Sequence, residues 1–312
     1  MANNSNSKAS HLEKENFNPN KSLGGLSSIV SEQLSNVNEI SKAIYNDEET
    51  NHSIQNMIIV PPSKANAQIP FEYINEIWGS LIEKEYLNNY NYNAILSIQK
   101  DINPKMRAIL IDWLVSVHSQ LHLKQPTLFL TVNIIDRYIS NKEILRSKFQ
   151  LLGITSLFIA CKYEEISFPH ISYFVECTAK TYTKQEILEM ESEILNVLNF
   201  ELNLPSCISF YEIISLIYEL NKEEYRIGCF MLELYLLDAK CNKYNQSHIA
   251  LAVCYIILKL RDDFVGINEK STSTSFIWNE IDVIKECAKD IYYYLENKSK
   301  IKYKAVFEKY SM

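Results

Sequence analysis

A chain of 312 residues with 47% hydrophobic content holds enough apolar material for two domains or one large one. Its net charge of −7, with only five arginines, argues against a general nucleic-acid binder, which carries a clustered basic face. The seven cysteines are odd in number, widely spaced and mostly set in apolar runs. They read as free core thiols of a reducing compartment, not as a zinc knuckle or a disulfide framework. The opening MANNSNSKAS has no apolar core of a signal peptide. The longest apolar run, Leu151 to Cys161, is far below the roughly 20 residues of a membrane span. A soluble intracellular protein with no membrane or nucleic-acid partner is the expectation.

Residues 1–67 are rich in Asn and Ser and hold two aromatics, Phe17 and Tyr45. So little apolar surface cannot offset ordering entropy, and a disordered tail is expected. Within it, Leu26, Ile29, Val30, Leu34, Val37, Ile40 and Ile44 recur at helical spacing. That stretch reads as a transient partner helix, an export signal or a nascent helix without function. VPPSK at 60–64 closes the tail. Residues 68–103 hold an amphipathic helix, FEYINEIWGSLIEKEYL, and a linker. Helical segments then follow near 104–122, 126–140, 147–164, 169–179 and 183–199, and again near 206–220, 222–240, 245–261 and 274–297. The last of these reads as a short helix and a long one. In TYTKQEIL, Thr183 and Glu186 form a capping box, and Tyr182 with Ile187 a hydrophobic staple.

The two sets repeat. LTVNIIDRYIS (130–140) parallels LELYLLDAKCN (232–242), and ITSLFIACKYEE (154–165) parallels IALAVCYIILKL (249–260), about 100 residues apart. The third segment of each set is apolar all round, as a helix surrounded by others must be. Small residues on it, Gly153, Ala160 and Ala252, would let neighbours approach. The fold class is therefore all-α: two tandem five-helix bundles, residues 104–204 and 205–312, preceded by a helix and the tail.

NPKMRAILIDWLVSVH (103–118) places Arg107 in a helix made for a core. An unpaired buried charge is costly, so a partner is required, and Asp136 in IIDRY supplies it. The pair fixes how the first two helices cross. MRAILIDWLV, IIDRY, FQLLG, ACKYEEI, TYTKQEILEMESEIL and the closing YKAVFEKYS resemble the cyclin family, the mitotic B type before the A type, over roughly residues 70 to 312. Arg107, Asp136, Leu151, Lys162 and Glu191 meet its key positions at the family's spacing.

That resemblance implies two tandem cyclin folds and a regulatory subunit, not an enzyme, that binds and activates a cyclin-dependent protein kinase without a cofactor or metal. It places Lys162 and Glu191 on the kinase backbone near its mobile helix, with Tyr163 and Phe200 as apolar anchors beside them. It also implies a docking groove for Arg-x-Leu-type substrates or inhibitors, built from Met106, Ile109, Leu110, Trp113, Phe149 and Gln150. Positions that carry acids in some relatives are here Ser116, Gln120 and Ala179, which predicts weak, weakly salt-dependent attraction for basic docking peptides. In the tail, KENFNP places Lys14, Glu15 and Asn16 as a degradation signal for the anaphase-promoting ubiquitin ligase. The family suggests nucleus and cytoplasm.

Other constellations carry little. His118 and His122 share a helical face at metal-ligand spacing but lack a third ligand, and read as surface or groove-edge histidines. His248 reads as a satisfied polar group near a helix start. Tyr292, Tyr293 and Tyr294 read as packing for the last helix. There is no glycine-rich phosphate loop and no nucleophile elbow. A cyclin-fold transcription factor resembling factor IIB would want a zinc ribbon and basic helices, and neither is present. A cyclin-fold scaffold without a kinase is the other alternative.

Overall fold

The computed structural model describes residues 73–86, 98–261, 280–296 and 303–311. Residues 1–67, with the amphipathic stretch and Lys14, Glu15 and Asn16, lie outside them. So does the short helix expected at the start of 274–297. The described residues are helical and contain no strand.

A leading helix, α1 (Ile74–Tyr86), is followed by α2 (Pro104–Gln120), α3 (Gln125–Asn141), α4 (Phe149–Glu164), α5 (Ile171–Cys177) and α6 (Lys184–Val197). The second repeat comprises α7 (Cys207–Ile217), α8 (Lys222–Leu236), α9 (Gln246–Leu260) and α10 (Ile281–Glu296). The chain closes with α11 (Ala305–Ser311). Sequence reading extended α8 to residue 240. The helix instead ends at Leu236, and a 3-10 turn spans Ala239–Lys243.

Local chemistry sets these boundaries. Asn103 accepts a hydrogen bond from the Met106 amide and Pro104 occupies the first turn, so α2 starts there. Thr183 and Glu186 form the expected capping box at α6, and Asn221 with Glu224 forms another at α8. With six glycines in the chain, the helix ends use other residues in the left-handed region: His122, Ala179, Lys180, Asn199, Phe200 and Glu219.

Helices α4 and α9 are the central ones. From Phe149 to Cys161 only Gln150 escapes full burial, and Ile249 to Leu258 are all buried. Helix α4 packs on α2, α3 and α6, and α9 on α7, α8 and α10. Gly153 allows close approach: a Cβ there would stand 2.7 Å from Leu110 Cδ1.

The bundles are not independent. Ile111 and Val115 of α2, and Leu128, Phe129 and Val132 of α3, belong to the core of the second repeat. Helix α1 precedes the first repeat yet docks on the second. Its Trp78 meets Phe210 edge to face at 5.2 Å between centroids, and its Glu85 carboxylate accepts the Ser247 amide and hydroxyl at the start of α9. Helix α11 packs on α2, where Asp112 accepts the Ala305 amide at 3.0 Å. The fully buried Glu233 receives Lys309 at 2.6 Å and the Tyr310 hydroxyl at 2.8 Å.

Arg107 and Asp136 form the expected pair, buried to 2% and 1% exposure, through two bonds of 2.6 Å. Its reach is wider than a helix crossing. Arg107 Nη1 also donates to the Leu236 carbonyl at 2.8 Å, and Asn242 Nδ2 donates to Asp136 at 2.8 Å. Both of those partners lie in the second repeat, so one ion pair joins the two bundles.

Two readings are corrected. His118 is neither surface nor groove edge: it is 2% exposed, and Nε2 bonds the Lys124 carbonyl at 2.8 Å. Burial and the nearby Lys309 charge push its pKa down, against the Lys124 carbonyl and the Glu233 and Glu165 charges. Of the three consecutive tyrosines, Tyr292 is buried and Tyr294 packs on the core, but Tyr293 is 63% exposed. A hundred degrees per residue cannot place three neighbours on one face.

Candidate functional site

The site grows from the end of α4. Lys162 lies in its last turn, where the helix dipole favours a cation, and its ammonium sits 4.5 Å from the Phe158 ring centroid. Helix α6 packs alongside and presents Glu191 to it. The two form an ion pair, close but not aligned as a hydrogen bond. The Glu191 side chain is 12% exposed and that of Lys162 35%. The carboxylate is therefore held in the wall while the ammonium reaches the surface.

Each residue of KYEE has a separate role. Lys162 pairs with Glu191, and Tyr163 points outward at 49% exposure. Glu164 lines an open cleft with Leu81, Asn133, Tyr163 and Leu202. Burial and the neighbouring Glu165 charge raise its pKa, against the Lys124 ammonium. Glu165 accepts the Lys124 amide at 2.7 Å and the Thr127 hydroxyl at 2.6 Å. It thus serves the start of α3, whose own cap residue, Lys124, offers no side-chain acceptor. That absent cap was the sequence signal for this role of Glu165, which spacing alone did not reveal.

Phe200 follows α6 and is 67% exposed. The chain turns there through two left-handed residues, Asn199 with φ 52° and Phe200 with φ 60°. Three further apolar residues that sequence reasoning missed are exposed: Ile166 at 95%, Phe168 at 48% and Leu188 at 37%. Leu188 stands three residues before Glu191 on α6, hence on the same side of the helix. Ile166 and Phe168 lie in the loop leaving α4. Exposed apolar groups on the segments that carry a charged pair have the composition of a protein-binding face.

The residues expected in a docking groove gather on α2 and α4 but differ in exposure. Leu110 and Phe149 are core, at 6% and 4%. Met106, Trp113 and Gln150 are half-buried, and Ile109 stands out at 60%. Gln120 and Ala179 are exposed, and Ser116 bonds its own helix at the Asp112 carbonyl.

Among the described residues there is no group of three potential metal ligands and no helix long and apolar enough to cross a membrane. Cys161, Cys177, Cys207, Cys229, Cys254 and Cys287 are free thiols. Burial pushes the Cys161 and Cys229 thiols up to about 12, which leaves them weak nucleophiles.

Two all-helical bundles, each wrapped around an apolar central helix and sharing one interface, define the class: an all-α tandem-repeat fold. The model of the cyclin N-terminal domain matches residues 76–203 and that of the cyclin C-terminal domain residues 205–312. The chain belongs to the cyclin family. G2/mitotic-specific cyclin-B of Spisula solidissima is 40% identical over 201 residues, which cover 64% of this chain and 46% of that one. G2/mitotic-specific cyclin-B2 of Homo sapiens is 36% identical over 236 residues, covering 75% of this chain and 59% of that one. This chain spans about half the length of the curated relatives it matches. A viral cyclin from herpesvirus saimiri shares the fold with a TM-score of 0.57 at 16% identity, over 70% of this chain and 97% of that one.

Proposed function

We propose that this chain binds and activates a cyclin-dependent serine/threonine protein kinase in mitotic cell-cycle control, supplying no catalytic group of its own. The observation that carries this reading is the Lys162–Glu191 pair, with the exposed rings of Tyr163, next to Lys162, and of Phe200, just after α6. An ammonium offers three donors and a carboxylate several acceptor sites, which suits contacts with kinase backbone. A kinase needs its own Lys–Glu pair and metal-binding Asp assembled before phosphoryl transfer. A partner that binds only the assembled arrangement shifts the population toward it.

The same reading takes Met106, Ile109, Leu110, Trp113, Phe149 and Gln150 as a substrate-docking groove, with Leu110 and Phe149 as its floor. It takes Lys14, Glu15 and Asn16 as the signal that ends the protein's life, and it expects the chain in nucleus and cytoplasm, which imaging of a tagged chain checks. Reconstitution with a cyclin-dependent kinase tests the core of it. Phosphorylation by the kinase alone, with this protein, and with a folded Lys162→Ala, Glu191→Ala double variant should rank low, high, low. If no such kinase is bound or activated by correctly folded protein, the reading falls and a scaffold role replaces it.

A further inference from the structure

Phe200 is an exposed ring on a backbone that resists its own conformation. Left-handed φ is tolerated by asparagine, as at Asn199, but disfavoured for a bulky residue such as Phe200, which keeps it only where the surroundings hold it. Helix α6 supplies part of the hold. The Asn199 amide donates to Asn196 at 3.2 Å, Phe200 to Leu195 at 2.9 Å, and Glu201 to Leu198 at 3.0 Å. These bonds close the turn on its helix but do not fix it against the rest of the bundle.

Arg137 does that. It lies on α3, directly after Asp136, with its side chain only 8% exposed. Its Nη1 donates to the Glu201 carbonyl at 2.5 Å, the residue immediately after Phe200. Nη2 also stands 4.0 Å from the Glu201 carboxylate, which is 71% exposed and adds little. The backbone bond is the one that matters: a buried guanidinium anchors the exit of the left-handed corner to a core helix.

We propose that Arg137 is a positioning residue for the kinase-binding face, holding Phe200 in its exposed, left-handed conformation through the Glu201 carbonyl. Arg137 acts through the Glu201 backbone. This rests on the assignment of Phe200 as a kinase anchor. Without the bond the corner samples other conformations, and affinity falls by the fraction of molecules that keep the competent one.

A double-mutant cycle on the full chain with a cyclin-dependent kinase tests it. Arg137→Gln should weaken kinase binding about tenfold if the competent fraction falls to about one tenth. The same substitution in a Phe200→Ala background should change binding little, because nothing is left to position. Equal weakening in both backgrounds would show a general structural effect and overturn the proposal. So would unchanged binding by Arg137→Gln while Phe200→Ala binds weakly. If Phe200→Ala alone leaves kinase binding intact, the anchor assignment itself is wrong, and the proposal goes with it. Thermal melting establishes that each variant is folded. Should Arg137→Gln fail to fold, Arg137→Lys, which keeps the charge but not the planar fork, carries the same cycle with the same opposing outcomes.

Discussion

Replacing Asp136 with alanine would leave the Arg107 guanidinium in place at 2% exposure without its carboxylate. Two bonds of 2.6 Å would be lost and only the one to the Leu236 carbonyl would remain of the three described. The bond from Asn242 to Asp136 would be lost as well. Breaking a buried ion pair from one side costs about 3–5 kcal/mol, because the remaining charge is uncompensated. Against a typical stability of 5–15 kcal/mol that is a large share. Removing both charges, with Arg107→Met and Asp136→Leu, should recover part of this loss. Recovery stays incomplete, since the Leu236 carbonyl and Asn242 amide each lose a partner at about 1–3 kcal/mol. Urea unfolding followed by circular dichroism measures all three variants, and the two repeats should unfold together in the native chain. A loss below about 1 kcal/mol for Asp136→Ala would refute the reasoning, as would full recovery in the double variant.

Further outcomes follow from the same geometry. In Gly153→Ala the new methyl meets Leu110 at 2.7 Å, so Leu110 must shift at the floor of the proposed docking groove. Overpacking of about 1–3 kcal/mol is expected, together with weaker docking-peptide binding; titration calorimetry showing native affinity would count against the groove. His118 has a pKa below its ordinary value of about 6.5, so the unfolded chain binds the extra proton first. Its contribution is complete above about pH 6.5 and lost as pH falls through the folded value; melting temperatures of native and His118→Gln protein between pH 5 and 7.5 should converge toward the acid end. Replacing Lys14, Glu15 and Asn16 with alanine should lengthen the protein's lifetime at mitotic exit, and an unchanged half-life in a pulse-chase would dispose of that signal.

Features that depend on local spacing were legible in the chain. Apolar periodicity marked the helices, and a segment apolar on every side could only be central, which located α4 and α9 before any coordinates. The Thr183 capping box was legible because both partners lie within one turn. A charge in an apolar helix demanded a partner, and Asp136 on the next apolar helix was the acid expected to supply it. Tertiary structure alone decided what depends on approach between distant segments. Arg107 reaches Leu236 across 129 positions, Ser247 reaches Glu85 across 162, and Ala305 reaches Asp112 across 193. No pattern within a helix encodes such contacts, because they follow from how two closed bundles meet. The exposure of Ile166, Phe168 and Leu188 was hidden for the same reason. Hydrophobicity drives burial wherever a neighbour is available, and only the packed fold shows where the chain supplies none.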